Sequence, residues 1–215
     1  MKQTFTKLIT FLKSPHHRDS FGNIKGREFL HLLLILFTIL IPYILILDFA
    51  GIDEFDHKFD VLIKKYRWLL VILSVLIAPL LEEPIYRLHL DFKKSSIWWS
   101  LGLSLLLISE AWFTVVLLWI WLFFLLFKVS KGDQPNLKYS VFISSALFGL
   151  VHLMNFTDFD YAQYFYWVPF MVGAQFFIGL VLSYIRLNYG MKWAIIFHGV
   201  YNAILIIPAV YFYEV

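Results

Sequence analysis

Residues 68–90 read WLLVILSVLIAPLLEEPIYRLHL, an apolar run that carries two adjacent glutamates, a proline and an arginine near its end. About 20 residues of α-helix, rising 1.5 Å each, cross a hydrocarbon core of about 30 Å. A charged side chain at the centre of such a helix costs about 2.5–3.5 kcal/mol or more. The stretch therefore predicts a membrane helix, and it marks Glu82, Glu83 and Arg87 as candidates for a function.

The composition of the whole chain also indicates a membrane protein. Of its 215 residues, 60% are hydrophobic, 20% aromatic and 15% charged, and the mean hydropathy is +0.74. A soluble domain has about 45–50% apolar and about 25% charged residues. The apolar content excludes intrinsic disorder, and the absence of cysteine excludes a disulfide framework, thiolate metal sites and a cysteine nucleophile. The net charge of +3 is unevenly placed, which bears on membrane orientation and not on nucleic acid.

Five further apolar stretches flank this helix. They are residues 29–49, 97–127, 139–153, 164–187 and 192–213. Basic residues flank 97–127 on both sides, and the positive-inside rule places both flanks in the cytoplasm, so this stretch is predicted to be a hairpin turning near Ser109 and Glu110. The predicted fold is an all-α polytopic membrane helix bundle with about seven transmembrane helices.

The first 28 residues form a basic segment in front of the first span. Phe5, Leu8, Phe11 and Leu12 recur there at helical spacing between lysines. Two interpretations are open, namely a short interfacial helix on an anionic leaflet or a basic tail without fixed structure. The amino terminus is predicted to be cytoplasmic, and residues 29–215 are predicted to form a single integral-membrane helical domain.

The two glutamates of the quoted stretch are predicted to do different work. Adjacent helical residues point about 100° apart. Glu83 and Arg87 are i, i+4 neighbours in the order that favours an ion pair, which gives Glu83 a structural partner. Glu82 then has no local cation, as suits a general base. The alternative is that both glutamates only satisfy Arg87 and a neighbouring helix.

Two histidines fall inside other predicted helices. His152 follows Phe148 by four residues, so the two share a helical face. His198 precedes Asn202 by the same spacing. Counted from the basic helix ends at 1.5 Å per residue, Glu82, His152 and His198 lie about 16, 20 and 10 Å above the cytoplasmic edge. These overlapping depths predict that an acid and two imidazoles meet inside the membrane, whereas a lone membrane histidine more often bridges helices.

Such a constellation can activate water in two ways, and the residue types alone do not choose between them. In the first, His152, His198 and Glu82 hold one divalent metal such as zinc, which lowers the pKa of bound water. In the second, Glu82 takes the proton from water while His198 and Asn202 donate to the developing oxyanion. Both schemes attack a peptide or other acyl carbonyl.

Three motifs carry a resemblance to a known family. The segments EEPIYR at 82–87, FGLVH at 148–152 and HGVYN at 198–202 resemble, in that order, the EExxxR, FxxxH and HxxxN motifs of the CPBP intramembrane proteases. That family includes the type II CAAX prenyl endopeptidases and the Abi-type bacterial proteins. The resemblance covers about residues 66–210. It implies that Glu82, His152 and His198 form the catalytic centre with Asn202 assisting, and that Glu83 and Arg87 support it.

Three features depart from the family pattern. Tyr86 stands where the family usually has phenylalanine before the arginine, and its hydroxyl needs a partner. Pro84 removes a backbone N–H and is predicted to kink the helix beside Glu82. The long insert at 97–127 between the first two motifs implies a local architecture that differs from that of shorter members.

The preferred hypothesis is an intramembrane endopeptidase that cleaves a membrane-associated or lipidated peptide or protein approaching from the cytoplasmic side. The alternative is a non-catalytic membrane scaffold or immunity-type partner-binding protein of the same fold. A transporter is weaker, because no inverted repeat or pair of broken half-helices is evident. The expected partners are membrane lipids and the substrate, with no nucleic acid, and the expected location is a bacterial inner membrane.

Overall fold

The computed structural model describes residues 1–51, 58–108, 112–156 and 160–212 of the chain. These residues form α-helices joined by short 3₁₀ segments and one π-helical turn. The helices are α1 (Lys2–Lys13), α2 (Gly26–Phe49), α3 (Lys58–Ile72), α4 (Ala78–Arg87), α5 (Lys94–Ser104), α6 (Trp112–Ser130), α7 (Leu137–Val151), α8 (Tyr161–Tyr164), α9 (Val168–Met171), α10 (Gly173–Tyr189) and α11 (Met191–Tyr211).

Six helical segments among the described residues are long and apolar enough to cross a membrane. They are Gly26–Phe49, Val61–Asp91, Trp112–Ser130, Leu137–Asn155, Ala162–Tyr189 and Met191–Tyr211. Their number is close to the predicted bundle of about seven spans. The all-α membrane fold predicted from the sequence is thus confirmed, and the chain is an integral membrane protein.

The missing seventh span is the first half of the predicted hairpin at 97–127. The stretch divides into α5 and α6, but α5 has 11 residues and continues only through a 3₁₀ turn, Leu105–Leu107. A helix that crosses the membrane has about 20 residues, so α5 is too short to count as a full transmembrane helix. The predicted turn at Ser109 and Glu110 lies outside the described residues. The two helices are tied by Trp119, whose Nε1 donates to Ser104 Oγ at 2.8 Å.

The amino-terminal segment forms a helix, α1, and this helix packs on the bundle. Leu8 and Phe11 are only 4% and 2% exposed, and the Phe11 ring meets that of Tyr184 edge-on at 5.3 Å. Lys7 on the polar side pairs with Glu28 at the start of α2, at 3.0 Å. The helical interpretation of this segment is therefore confirmed, with Leu8 and Phe11 resting on protein and Phe5 left 45% exposed.

The span that carries the two glutamates stays helical at Pro84. Helix α4 continues through this residue, whose carbonyl accepts a hydrogen bond from Ser100 Oγ at 3.0 Å. Before α4 the span is irregular at two places, since the backbone is non-helical at Arg67 and residues Leu73–Ile77 form a π-helical turn. There the Ala78 N–H bonds to the carbonyl of Leu73, five residues back, instead of four.

Candidate active site

The buried ion pair predicted between Glu83 and Arg87 is present. Arg87 Nη1 lies 3.2 Å from Glu83 Oε1, and both side chains are fully buried. Because removing two charges from water costs several kcal/mol per ion, such a pair depends on further partners. His198 adds a hydrogen bond to Glu83 Oε1, and the Phe148 ring faces Arg87, whereas Glu83 Oε2 and the guanidinium nitrogens have no hydrogen-bond partner among the described residues.

Arg87 is held from the other side by an aromatic ring and a close helix approach. Its guanidinium carbon lies 4.0 Å from the centroid of the buried Phe148 ring, a cation–π contact. Gly179 allows α10 to lie close to Arg87 and to Ser145 on α7. A Cβ at this position would lie 3.2 Å from Arg87 Nη2 and 2.9 Å from Ser145 Cβ. The phenylalanine of the second motif therefore faces the arginine of the first.

Phe148 also contacts both histidines. Its ring meets the His152 ring edge-on at 4.9 Å and the His198 ring at 5.8 Å. A single buried ring thus contacts Arg87 and both imidazoles, and it connects α4, α7 and α11.

His198 is oriented by Glu83 and faces Glu82. Its Nδ1 lies 2.9 Å from Glu83 Oε1, inside a fully buried contact. A carboxylate only accepts hydrogen bonds, so Nδ1 carries the proton and a neutral ring leaves Nε2 as an acceptor. Nε2 lies 3.8 Å from Glu82 Oε2, which is too long for a direct hydrogen bond.

Glu82 lies on the wall of a cavity, in contrast to its neighbour. Its side chain is 18% exposed, whereas that of Glu83 is not exposed at all. The cavity has a volume of about 410 Å³, which is ample for several waters or a stretch of peptide. Its lining includes all four residues predicted as catalytic, namely Glu82, His152, His198 and Asn202.

His152 is fixed in a similar way to His198. Its Nδ1 lies 2.8 Å from the carbonyl oxygen of Phe148. Because a carbonyl only accepts, Nδ1 is the protonated nitrogen here too, and Nε2 of a neutral ring is left as an acceptor. Both imidazoles therefore offer the cavity an unprotonated nitrogen.

Asn202 contacts a backbone carbonyl, which uses one of the two hydrogens on its amide nitrogen. Its Nδ2 donates to the carbonyl of Ser74 at 2.8 Å. In a π-helical turn the carbonyl of residue 74 accepts from the N–H of residue 79, five residues later. Residue 79 is a proline and has no N–H, so the helix gives this carbonyl no donor. Asn202 thus satisfies a backbone group that the helix itself leaves unpaired, which makes it a positioning residue for α3 and α4.

Gln175 is a cavity residue that the sequence analysis did not select. It lies on α10 and lines the cavity, and its Oε1 is buried without a hydrogen-bond partner among the described residues. Gln175 carries no charge and belongs to none of the three motifs. A glutamine inside the predicted helix 164–187 is the signal that was available.

The described residues contain no group of three or more His, Cys, Asp or Glu side chains placed to hold a metal ion. His198 Nδ1 is held by Glu83 and His152 Nδ1 by a carbonyl, which leaves the Nε2 of each ring as the nitrogen that would bind a metal. The zinc site of His152, His198 and Glu82 is one of the two schemes that the sequence leaves open, and these side chains are not gathered into a metal site among the described residues.

The fold and the site together define a polytopic helical membrane protein with an acid and two histidines enclosed beside a cavity. A scan against family models matches residues 64–204 to the type II CAAX prenyl endopeptidase Rce1-like family. The chain belongs to this family, which is a protease family, so the resemblance read from the three motifs is confirmed. The match does not extend to Abi-type proteins or to a metalloprotease.

Neither the comparison with curated proteins nor that with solved structures gives a match for this chain.

Proposed function

We propose that the protein is an intramembrane endopeptidase in which Glu82 activates water for attack on a peptide carbonyl. The observation that carries the proposal is the position of Glu82, partly exposed on the cavity wall and 3.8 Å from the Nε2 of a histidine held by a second glutamate. A general base must be within reach of the water that it deprotonates and needs no permanent cation of its own. Glu82 meets both conditions.

In the proposed mechanism the histidines first orient the attacking water, and Glu82 then carries out the proton transfers. In its neutral form, the Nε2 of His198 accepts a hydrogen bond from one O–H of the water, while the other O–H points to Glu82 and the oxygen faces the carbonyl. His152 lines the same cavity and accepts a hydrogen bond through its own Nε2 from a second water. Glu82 takes one proton as the water oxygen attacks the carbonyl carbon. That proton is then given to the leaving amine as the C–N bond breaks, which yields a carboxylic acid and an amine.

The carbonyl oxygen needs a donor as it gains negative charge, and we assign that donor to the amide nitrogen, Nε2, of Gln175. Asn202 Nδ2 already donates to the Ser74 carbonyl, whereas Gln175 lines the same cavity and its Oε1 has no partner among the described residues that would fix the amide. A preorganised neutral donor of this kind stabilises an oxyanion without rearrangement.

The substrate class follows from the family and the walls of the cavity. The family points to a peptide or prenylated protein at a membrane. Leu62, Leu70, Leu205 and Ile206 make part of the lining apolar, which suits an apolar side chain or a lipid chain beside the scissile bond. We therefore propose a membrane-associated or lipidated peptide or protein as the substrate.

The test compares membranes that contain the wild-type protein with membranes that contain Glu82→Gln. Peptide mass spectrometry should find a shortened species that disappears in Glu82→Gln, with turnover lowered by about 10²–10⁴-fold. Asp133→Asn, an exposed acid at the other end of the molecule, is the matched control and should keep the species.

Two outcomes would overturn the proposal. One is full cleavage by Glu82→Gln. The other is that membranes with the wild-type protein contain no shortened species, although the wild type and Glu82→Gln both fold and bind the same partners. That result would favour the scaffold interpretation.

A further inference from the structure

A second cavity lies beside α1, outside the candidate active site. Its volume is about 680 Å³. One face of α1, the segment that follows α1 and the last turns of α10 form its walls, and the described residues that line it include Lys2, Lys7, His16, Arg18, Tyr184 and Asn188. None of these six residues lines the cavity beside Glu82 or belongs to the three motifs. The proposed cleavage therefore leaves this second cavity, which we call the α1 cavity, without a function.

The lining of the α1 cavity is positively charged. Lys2, Lys7 and Arg18 are cationic, and none of the described residues that line it is acidic. Lys7 is paired with Glu28 at 3.0 Å. Lys2 and Arg18 form no ion pair with a described residue, and the guanidinium carbon of Arg18 lies 5.8 Å from the centroid of the Tyr189 ring. Two cations of the cavity are thus not neutralised by a described carboxylate, so the cavity attracts an anion.

A buried amide stands among these cations. Asn188 lines the α1 cavity and is 2% exposed. Its Nδ2 donates one hydrogen to the carbonyl of Tyr184 at 2.9 Å. An amide nitrogen carries two hydrogens, so the second is left for a ligand. Cations together with a neutral donor suit a phosphate group, whose oxygens accept several charge-assisted hydrogen bonds at once.

The α1 cavity lies at the ends of two membrane spans. Glu28, in the first turn of α2, accepts hydrogen bonds from the hydroxyls of Tyr184 and Tyr189 at 2.9 and 2.7 Å. The span Gly26–Phe49 begins at this point, and the span Ala162–Tyr189 ends there. Because charged residues and tyrosines at the ends of spans lie at the level of the lipid headgroups, the α1 cavity is at the depth of phospholipid phosphates.

Helix α1 is apolar on one flank and polar on the other. The line of side chains that packs on the bundle runs through Leu8 and Phe11. At about 100° per residue, Phe5 falls about 90° to one side of that line, whereas Lys7 and Thr10 fall on the opposite side and line the cavity. Phe5 is 45% exposed, as expected of a side chain that enters the acyl layer from an interfacial helix. The α1 cavity is therefore formed by a helix that lies along the membrane surface.

We propose that the α1 cavity binds the phosphate group of an anionic ligand, which at this depth is the headgroup of a phospholipid. Lys2 and Arg18 supply the charge, and Asn188 supplies a neutral hydrogen bond. Cavities of about 300–1,000 Å³ hold whole organic ligands, so there is room for a headgroup and not only for its phosphate. The bound headgroup connects α1 and the segment behind it to α10. The inference goes beyond the proposed cleavage and does not depend on it.

The test measures binding to the purified, delipidated protein in a neutral detergent at low salt. Phosphatidylglycerol, phosphatidylcholine and the soluble ester glycerophosphate are titrated separately, and dissociation constants are obtained by native mass spectrometry. Phosphatidylglycerol should bind more tightly than phosphatidylcholine. The double variant Lys2→Gln/Arg18→Gln should weaken its binding by about 30-fold, since one basic residue near an anionic lipid contributes roughly a factor of five.

Lys13→Gln is the matched control. Lys13 is an exposed basic residue on the same helix, and it is not among the residues that line the α1 cavity. Its substitution should leave the affinity for phosphatidylglycerol unchanged. Because Arg18→Gln also removes the contact with Tyr189, Lys2→Gln alone is measured as well and should weaken binding by about fivefold.

The three ligands also distinguish the two sources of a phosphate group. Tight binding of the lipid alone supports the site with a phospholipid as its ligand. Equally tight binding of glycerophosphate, with the same dependence on Lys2 and Arg18, supports the site with a soluble phosphate ester as its ligand. Wild-type affinity in both Lys2→Gln and the double variant, an equal loss in Lys13→Gln, or equal affinity for phosphatidylglycerol and phosphatidylcholine would overturn the proposal.

Discussion

Glu82 and Glu83 are neighbours in the chain but lie in two regions of opposite character. Glu83 and Arg87, with the Phe148 ring against the guanidinium, form a cluster that we call the dry cluster, in which both charged side chains are fully buried. Glu82 borders a cavity together with His152. The carboxylates are chemically identical, so the proposal assigns them different roles on their access to the cavity and on the presence of a cation.

His198 joins the two regions. Its Nδ1 belongs to the dry cluster through Glu83, and its Nε2 faces Glu82 across 3.8 Å. The dry cluster therefore affects the cavity indirectly, because Glu83 fixes the orientation of the His198 ring and the Nε2 of that ring faces Glu82. Variants on the two sides should therefore have separable effects, and the following four measurements test that separation.

The most severe change to the dry cluster is Arg87→Met. It leaves the carboxylate of Glu83 buried without its cation, and breaking a buried pair in this way costs about 3–5 kcal/mol. We expect the free energy of unfolding in detergent to fall by that amount. The double variant Glu83→Gln/Arg87→Met should recover part of the loss, and a single variant as stable as the wild type would contradict the buried pair.

Gly179→Ala tests the close approach that holds Arg87 against Phe148. The added methyl group would meet Ser145 Cβ at 2.9 Å, and overpacking of this kind costs about 1–3 kcal/mol. Gly102→Ala on α5 is the matched control, because its Cβ meets nothing within 4 Å. We expect Gly179→Ala to lower the unfolding temperature and Gly102→Ala to leave it unchanged. Equal unfolding temperatures for the two variants would show that α10 does not pack closely against Arg87 and Ser145.

Asn202→Leu tests the positioning role of the third motif. The substitution leaves the Ser74 carbonyl without its donor, which costs about 1–3 kcal/mol. Stability should fall, and cleavage should fall with it as the π-helical turn shifts. Loss of cleavage at unchanged stability would instead restore the role of oxyanion donor predicted from the sequence.

Gln175→Leu tests the cavity side with the smallest expected effect on stability. The buried Oε1 has no partner among the described residues, so its removal costs no hydrogen bond. Cleavage should drop by at least about tenfold with kcat affected more than KM, because the donor acts in the transition state. A variant with wild-type kcat would remove Gln175 from the mechanism.

Much of the fold could be predicted from the sequence, because lipid leaves few choices. Six of the predicted spans have counterparts in the structure, and only the short α5 falls below the length of a crossing. The pair of Glu83 and Arg87 was predictable from helical spacing alone. The meeting of Glu82 with His198 followed from depth counting, because three spans run through the same thickness of membrane.

The rest depends on contacts between helices that no local pattern encodes. The π-helical turn at Leu73–Ile77 has no clear signature, and without it the donation from Asn202 to Ser74 cannot be anticipated. The position of Gln175 on the cavity wall is likewise a tertiary property, because it depends on how α10 packs against the other helices.

The most direct test of the division between the two regions sets Glu82→Gln beside Glu83→Gln. Each purified variant is assayed for cleavage of a membrane peptide and for its free energy of unfolding. Glu82→Gln should lose cleavage and keep the stability of the wild type, whereas Glu83→Gln should lose several kcal/mol of stability because Arg87 stays buried without a counter-charge. Equal losses of stability in both variants, or cleavage retained by Glu82→Gln, would contradict the account.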